Sequence, residues 1–459
     1  MRNRITSIFC ALYMMTGMLC AQSFETAASA VANMRVGWNL GNTLESNSGD
    51  VNNMWIEAWT DRSPSAYETA WGQAVTTQNL IKMFKDAGFN AIRVPVTWYP
   101  HMEATFNSVK WDNSKNALAP WDPSTDDIGT KIQATWMSRV HEVVDYVISQ
   151  GMYCILNVHH DTGASNTAWL IASTSDYNKQ KDRFEAVWKQ IAEEFKDYDE
   201  HLLFEGYNEM LDKYRSWCFA SYGSSSHYNA TDATDAYNAI NSYAQSFVDA
   251  VRATGGNNAQ RNLIVSTYGG CSGEGNWNDH LQDPLKKMNL PTDAATNHIA
   301  FEIHAYPSIK NGLNNAKTSV SAMMDALSTH LASKGAPIII GEWGTANDIE
   351  SGKDDLDVRP ADKIAFARYF VEQAKAKGFA PFYWMGLSDG THRSVPEFNQ
   401  EDLKEAIIKG YYGDQGYTGI SQIKEDCRKT TETYDLQGRK IRNPQHGIYI
   451  QNGKKYIAK

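Results

Sequence analysis

Glu209 and Glu342 each stand directly after a short apolar run, at points where a strand would hand over to a loop. Arg93, His159, Asn208, His304, Tyr306 and Trp384 occupy similar places at the ends of other runs. A set of this kind suits the cleavage of a glycosidic bond. One carboxylic acid protonates the leaving oxygen, and a second carboxylate attacks the sugar or activates water. When the second carboxylate attacks, the two groups must come within about 5 Å, the acid protonated and the nucleophile ionised. An arginine beside the nucleophile lowers its pKa, and the nucleophile's charge raises that of the acid. Arg93 and Glu342 could supply these two effects.

Other chemistries find less support in the same residues. His141-Glu142 lacks the second histidine of an HExxH zinc site. His159 and His160 are neighbours on a strand-like run, so they should face opposite ways and not share an ion. Glu205 has the same side-chain parity as Glu209, but four strand residues place it roughly 13 Å deeper, where an internal ion pair is expected. Glu342 taken alone could also be a structural partner for Arg93.

The elements that must position these groups are visible as eight apolar or β-branched runs, at 36–39, 91–94, 153–158, 202–207, 263–267, 299–304, 337–341 and 380–384. Amphipathic stretches at 78–86, 132–149, 180–196, 235–253, 318–333 and 362–377 lie between them, several followed by a cap glycine such as Gly88, Gly151, Gly335 or Gly378. Strands alternating with helices in this rhythm predict an α/β fold, a (β/α)8 TIM barrel with a short β-rich C-terminal tail. The longest connections follow the first, second and fifth runs, on the end of a barrel where active sites are built. An open doubly wound sheet would need a phosphate-binding turn, and neither Gly269-Gly270 nor Gly273-Glu274-Gly275 matches one.

The 459 residues divide into four expected parts: a signal peptide at 1–21, a catalytic domain at 22–412, a linker at 413–430 and a C-terminal segment at 431–459. The signal reading rests on Arg2 and Arg4, an apolar run at 5–20 and the small-residue site around Ala21. That run is too short for a convincing membrane span, and no other stretch approaches one. With 43 basic against 53 acidic side chains, the chain would repel phosphate backbones, so nucleic acid is not an expected partner. Beyond the signal, Cys154, Cys218, Cys271 and Cys427 show no metal-like spacing. Fourteen Trp and 23 Tyr could stack on sugar faces, but large barrels also bury many aromatics.

FEGYNE at 204–209 and GEWG at 341–344 resemble the two signature segments of glycoside hydrolase family 5. GWNLGNTLE at 37–45, RVPVTW at 93–98, NVHHD at 157–161 and HAY at 304–306 are similar to further segments of that family, in the same order, so that the resemblance spans about residues 34–400. It implies a secreted, retaining endo-β-1,4-glucanase acting on cellulose-like polysaccharides by double displacement, with Glu209 as acid/base and Glu342 as nucleophile. It further implies that Arg93 holds the nucleophile region and that Asn208 bonds the sugar 2-hydroxyl, with His159 lining the same subsite. His304 would neighbour the acid/base, Tyr306 would bond the nucleophile, and Trp384 would form the stacking floor. Asn39 is an expected substrate contact, and Trp38, Trp59, Trp98, Trp277 and Trp343 are weaker candidates for further subsites that could equally be buried, Trp38 being counted with the contacts. No cofactor or metal is implied; the expected partner is a β-glucan, the expected state a monomer, and the expected location extracellular or cell-surface. The loop around Trp55, Trp59 and Trp71 resembles that of subfamily 4, for which xyloglucan, mixed-linkage glucan, mannan or xylan are the alternative substrates. A retired barrel that only binds glycans and a metal-dependent barrel hydrolase are the readings from other classes. The final segment resembles the sorting domains of secreted Bacteroidetes proteins.

Overall fold

Alternation within each run decides which residues look inward. The computed structural model describes residues 24–419 apart from 110, 113, 115–116, 119–128 and 224–227, together with short strands between 433 and 458. Eight parallel strands form the centre: β1 (Gly37–Asn39), β2 (Ala91–Val94), β3 (Tyr153–Asn157), β4 (Leu202–Glu205), β5 (Leu263–Cys271), β6 (Ile299–Ala305), β7 (Ile338–Trp343) and β8 (Ala380–Tyr383). They close into a barrel in the order β1-β8-β7-β6-β5-β4-β3-β2, which is the (β/α)8 barrel expected from the runs.

Successive strand side chains point to opposite faces, so alternate residues fill the interior. Ala91, Ile155, Leu203, Ile264, Ala300 and Ile339 belong to one apolar cluster inside the barrel. Helix α1 (Ala27–Met34) closes that end by packing Ala30, Val31 and Met34 into the same cluster. Two residues further along, the same alternation brings in Arg93, Asn157, Glu205, Ser266 and Glu302, all fully buried. The interior is therefore an apolar plug beneath a polar layer, and the polar layer underlies the carboxyl ends of the strands.

Around the strands lie α2 (Gln78–Ala87), α3 (Ala134–Ile148), α4 (Thr174–Glu194), α5 (Ala230–Arg252), α6 (Leu313–His330), α7 (Pro360–Lys377) and α8 (Glu401–Tyr412). Thr77 and Ser173 cap α2 and α4 by accepting the backbone N–H of Leu80 and Asp176, orphan donors that only a side chain or water can satisfy. Gly88 and Gly378 end α2 and α7 in the left-handed conformation, as their positions predict. Helix α8 has no counterpart among the amphipathic stretches read from the sequence, and only the short helix Asp283–Lys287 lies between β5 and β6.

Trp38 requires a correction. It lies between two inward-facing positions, so it faces the helical layer and not the mouth. It is fully buried, stacks on Phe84 of α2 with ring centroids 3.8 Å apart, and donates its indole N–H to the Met385 carbonyl at 2.8 Å. It is a packing residue without access to substrate. Trp98 and Trp343 are likewise fully buried.

The C-terminal tail, read as two strand-like pieces, forms a four-stranded antiparallel sheet in the order Lys440–Ile441, Thr433–Asp435, Gly447–Gln451, Lys454–Ala458. The expected signal at 1–21 and most of the expected linker, from 420 onward, lie outside the described residues. No helix among the described residues is long and apolar enough to cross a membrane. Replacing Trp38 with Ala should lower the unfolding free energy by about 3–5 kcal/mol, measured by denaturant titration. An unchanged midpoint would contradict the packing role.

Candidate active site

Arg93 projects from β2 into the polar layer, and its planar fork sets the arrangement of everything above it. Its Nε and Nη2 donate to the two Glu205 oxygens at 2.7 Å each, a bidentate pair. Nη1 donates to Glu342 Oε1 at 2.8 Å and to Asn39 Oδ1 at 3.1 Å, and Nη2 also donates to Asn208 Oδ1 at 2.7 Å. All five guanidinium N–H groups are thereby used. Asn157 adds a donor to Glu205 at 2.9 Å, so the ion pair expected for Glu205 is present. Arg93 and Asn39 are fully buried and cannot touch substrate. Arg93 thus holds the Glu342 region as expected, whereas Asn39, expected to contact substrate, is also a positioning residue and donates to the Gly341 carbonyl at 2.8 Å.

Strict alternation would turn Glu342 outward, because Ile339 and Gly341 of β7 face inward. The register shows why it does not. On one side Ile303 pairs with Ile340 and His304 with Glu342; on the other Pro381 pairs with Ile340 and Tyr383 with Trp343. Both neighbours skip a residue at Gly341, a bulge that re-aims the next side chain into the mouth. Gly341 is needed there for space as well, since a Cβ on it would lie 1.8 Å from Glu302 Oε1.

Glu302 is the chief residue that the sequence reading missed. Its signal was present, since it lies two positions before His304 on the same face of β6. It accepts from His304 Nε2 at 2.8 Å and from Ser266, and lies 3.5 Å from Arg93 Nη2. The Nδ1 of His304 meets Glu209 Oε1 at 2.7 Å and lies 3.5 Å from Glu342 Oε2. Burial pushes the imidazole of His304 down, but Glu342, Glu302 and Glu209 outweigh it and hold the ring well above its ordinary pKa, as a cation. Burial likewise pushes the Glu342 carboxyl up, against His304, Arg93 and the Tyr306 hydroxyl, which donates to Glu342 Oε2 at 2.6 Å. His159 is held neutral, its pKa driven well down by burial and by His160, Arg93 and His304.

One oxygen each of Glu209 and Glu342 and a nitrogen of His304 lie within 4.8 Å of one another. These three are also the residues best placed to share a metal ion. His304, however, would first have to surrender a proton that the surrounding carboxylates stabilise. Trp384 stands half-buried at the rim, parallel to His159 with centroids 5.7 Å apart. His159 and His160 meet edge to face at 4.5 Å despite being adjacent. Strand β3 ends at Asn157, so alternation no longer applies to them. Of the remaining tryptophans expected as subsites, Trp59 and Trp277 are exposed.

A closed barrel with an ionised cluster and two facing carboxylates at its carboxyl mouth is the architecture of a glycoside hydrolase. Comparison with known proteins narrows this. Residues 53–389 match the model of Cellulase, glycosyl hydrolase family 5. Endoglucanase B of Neocallimastix patriciarum is 31% identical over 397 residues, which are 83% of this chain and 71% of that protein. Endoglucanase B of Clostridium cellulovorans is 30% identical over 408 residues, 86% of this chain and 78% of that protein. Among solved structures, a GH5-4 broad specificity endoglucanase from an uncultured bacterium aligns with a TM-score of 0.76 and 51% identity, covering 86% of this chain and 98% of that one. A glycoside hydrolase family 5 enzyme from Prevotella bryantii, solved as a mutant with a xyloglucan tetradecasaccharide, aligns with a TM-score of 0.68 and 37% identity, covering 84% and 99%. The chain belongs to glycosyl hydrolase family 5, the cellulase family.

Removing the cation should be the costliest single change in the polar layer. Arg93→Met leaves Glu205 buried without its cation and Glu302 and Glu342 with His304 alone, and should lower stability by about 3–5 kcal/mol in equilibrium unfolding. A loss below 1 kcal/mol, on the order of an exposed ion pair, would show that the layer does not depend on it.

Proposed function

We propose that the chain is a secreted, retaining endo-β-1,4-glucanase that cuts internal bonds of cellulose-like polysaccharides as a monomer. The observation that carries this is the approach of Glu209 and Glu342 to within 4.8 Å. That spacing fits direct attack on the sugar, whereas inversion needs roughly 6.5–9.5 Å to admit a water between the carboxyl groups.

In the first step Glu342 attacks the anomeric carbon while Glu209 protonates the leaving oxygen. In the second, Glu209 takes a proton from water, which displaces the sugar from Glu342. Arg93 and Tyr306 each hold one Glu342 oxygen, at 2.8 and 2.6 Å, which fixes the nucleophile and favours its charge. His304 reaches both carboxyl groups, so its positive charge favours the ionised form of each as the cycle proceeds. Asn208, fixed by Arg93, supplies an amide for the 2-hydroxyl, and Trp384 offers the ring face on which the sugar stacks. Secretion is supported by the signal-like 1–21, and export through a sorting route by the resemblance of 431–459. The alternative backbone with the most support is xyloglucan, because the Prevotella bryantii neighbour carries that ligand.

Glu209→Gln and Glu342→Gln should each lower kcat on a soluble β-1,4-glucan by about a hundredfold or more, with melting temperatures preserved. Either variant keeping more than a few per cent of activity would refute the assignment. In the wild type, viscosity should fall faster than reducing ends appear, as internal cutting requires. Because burial raises the Glu342 pKa and the attacking form is ionised, kcat/KM should decline on the acid side with an inflection above the ordinary glutamate value of about 4.3. An inflection below that value would contradict the direction.

A further inference from the structure

The segment after β4 is laid along the end of β5, and two cysteines stand where they run together. Tyr268 of β5 donates its hydroxyl to the Ser216 carbonyl at 2.9 Å and accepts the Asp212 backbone N–H at 3.1 Å, while the Gly269 N–H reaches the Met210 carbonyl at 3.0 Å. Asp212 gathers the same segment from within, accepting the backbone N–H groups of Tyr214 and Ser216 at 3.0 Å and of Ser221 at 2.7 Å. Cys218 follows Ser216 by two residues, and Cys271 follows Tyr268 by three. Both line one recess beside Glu209, and the backbone N–H of Cys218 faces the Cys271 thiol.

The backbone is unusual at both cysteines. Cys218 has φ +69°, and the Phe219 N–H bonds the Trp217 carbonyl at 2.9 Å across it, which makes Cys218 the centre of a γ-turn of the rare, strained kind. A side chain costs free energy in that conformation, where glycine would not. On the facing element Gly269 and Gly270, at φ +59° and +63°, kink the end of β5, so that its pairing with β6 skips from Ser266 to Cys271, which lies opposite His304. The two thiols are free and differ in access: Cys218 is exposed, next to Trp217, itself 42% exposed, whereas Cys271 is half-buried. Burial raises the pKa of each, and Cys218 further raises that of Cys271, the mark of two sulfurs close enough for their charges to compete. Cys154, by contrast, is fully buried within β3.

We propose that Cys218 and Cys271 form a reversible disulfide that ties the segment after β4, with Trp217, to the end of β5 beside Glu209. The oxidant is an organic disulfide, free or carried by an oxidoreductase, of the kind met outside the cytosol. The accessible Cys218 thiolate attacks one sulfur of the oxidant and expels a thiolate, leaving a mixed disulfide. The Cys271 thiolate then attacks the Cys218 sulfur and expels the second thiolate. Two protein thiols are oxidised, the oxidant is reduced to two thiols, and these take up the two protons that the cysteines lose. Since the thiolate is the attacking form and burial disfavours it, the exchange quickens towards alkaline pH. Closing the long stretch of chain between the two cysteines restrains the unfolded state, so the linked form is the more stable one. The tie is independent of the glucanase reading.

The test is thiol mapping of the purified chain. After reduction and transfer to oxidised glutathione at mildly alkaline pH, the protein is unfolded, its free thiols are alkylated, and it is digested without reductant. Mass spectrometry should find one pair of peptides joined through Cys218 and Cys271, lighter than their sum by two hydrogens, with Cys154 alkylated. The oxidised chain should melt about 2–5 °C above the same chain kept in a dithiol. Cys218→Ser, at an exposed position, should abolish both the joined pair and the difference in melting temperature, whereas Cys427→Ser should keep both. Alkylation of Cys218 and Cys271 after oxidation, a lasting glutathione adduct on Cys218, or a link from either to Cys427 would overturn the proposal. Equal melting temperatures of the oxidised and reduced forms would overturn it as well. None of these outcomes touches the glucanase reading, whose own variants and substrates are separate.

Discussion

A single buried guanidinium decides the arrangement of the catalytic mouth. Taking an arginine and several glutamates out of water is expensive, and the charges persist only where geometry and hydrogen bonding repay the lost hydration. Here the repayment is complete on the arginine side, with every N–H of Arg93 bound. Glu205 anchors the fork from below, Asn39 and Asn208 hold its edges, and Glu342 receives the one arm that reaches the mouth. Glu342, the proposed nucleophile, is therefore placed by a fully buried residue.

His304 provides the second cation and links the polar layer to the chemistry. Glu302 fixes one ring nitrogen and Glu209 meets the other, so the ring orientation is set from inside the barrel. Four carboxylates thus share two cations within one polar layer, an arrangement in which protons move between neighbours and do not belong to one residue alone. In the proposed reading an aromatic rim adds the apolar half of recognition, with Trp384 beside His159.

Much of this was legible in the chain. The eight strands came from runs of apolar residues, and the inward positions two apart explain why Arg93 and Glu205 could be named, whereas Glu209 and Glu342 were marked by their places at the ends of runs and by the segments FEGYNE and GEWG. Parity also separates Trp38 from Asn39, and read strictly it would have consigned Trp38 to the helical layer. The bulge at Gly341 was not legible, because strict alternation turns Glu342 the wrong way and only pairing on both sides of β7 reveals the skipped residue. Glu302 could have been placed beside His304 by parity, but its contacts with Gly341 and Ser266 could not, because they come from strands that sequence spacing cannot bring together. Exposure of Trp217 and Trp277 likewise depends on how long loops fold over the rim, which periodicity does not address.

The central claim is that Glu342 and Glu209 face each other across one sugar at a distance suited to attack and not to an intervening water. Proton NMR of the first product from a soluble β-1,4-glucan tests it most directly, because double displacement must preserve the configuration of the anomeric carbon. The account predicts that the β anomer appears first and the α anomer grows in only by mutarotation. An α anomer formed first would show single displacement and contradict it.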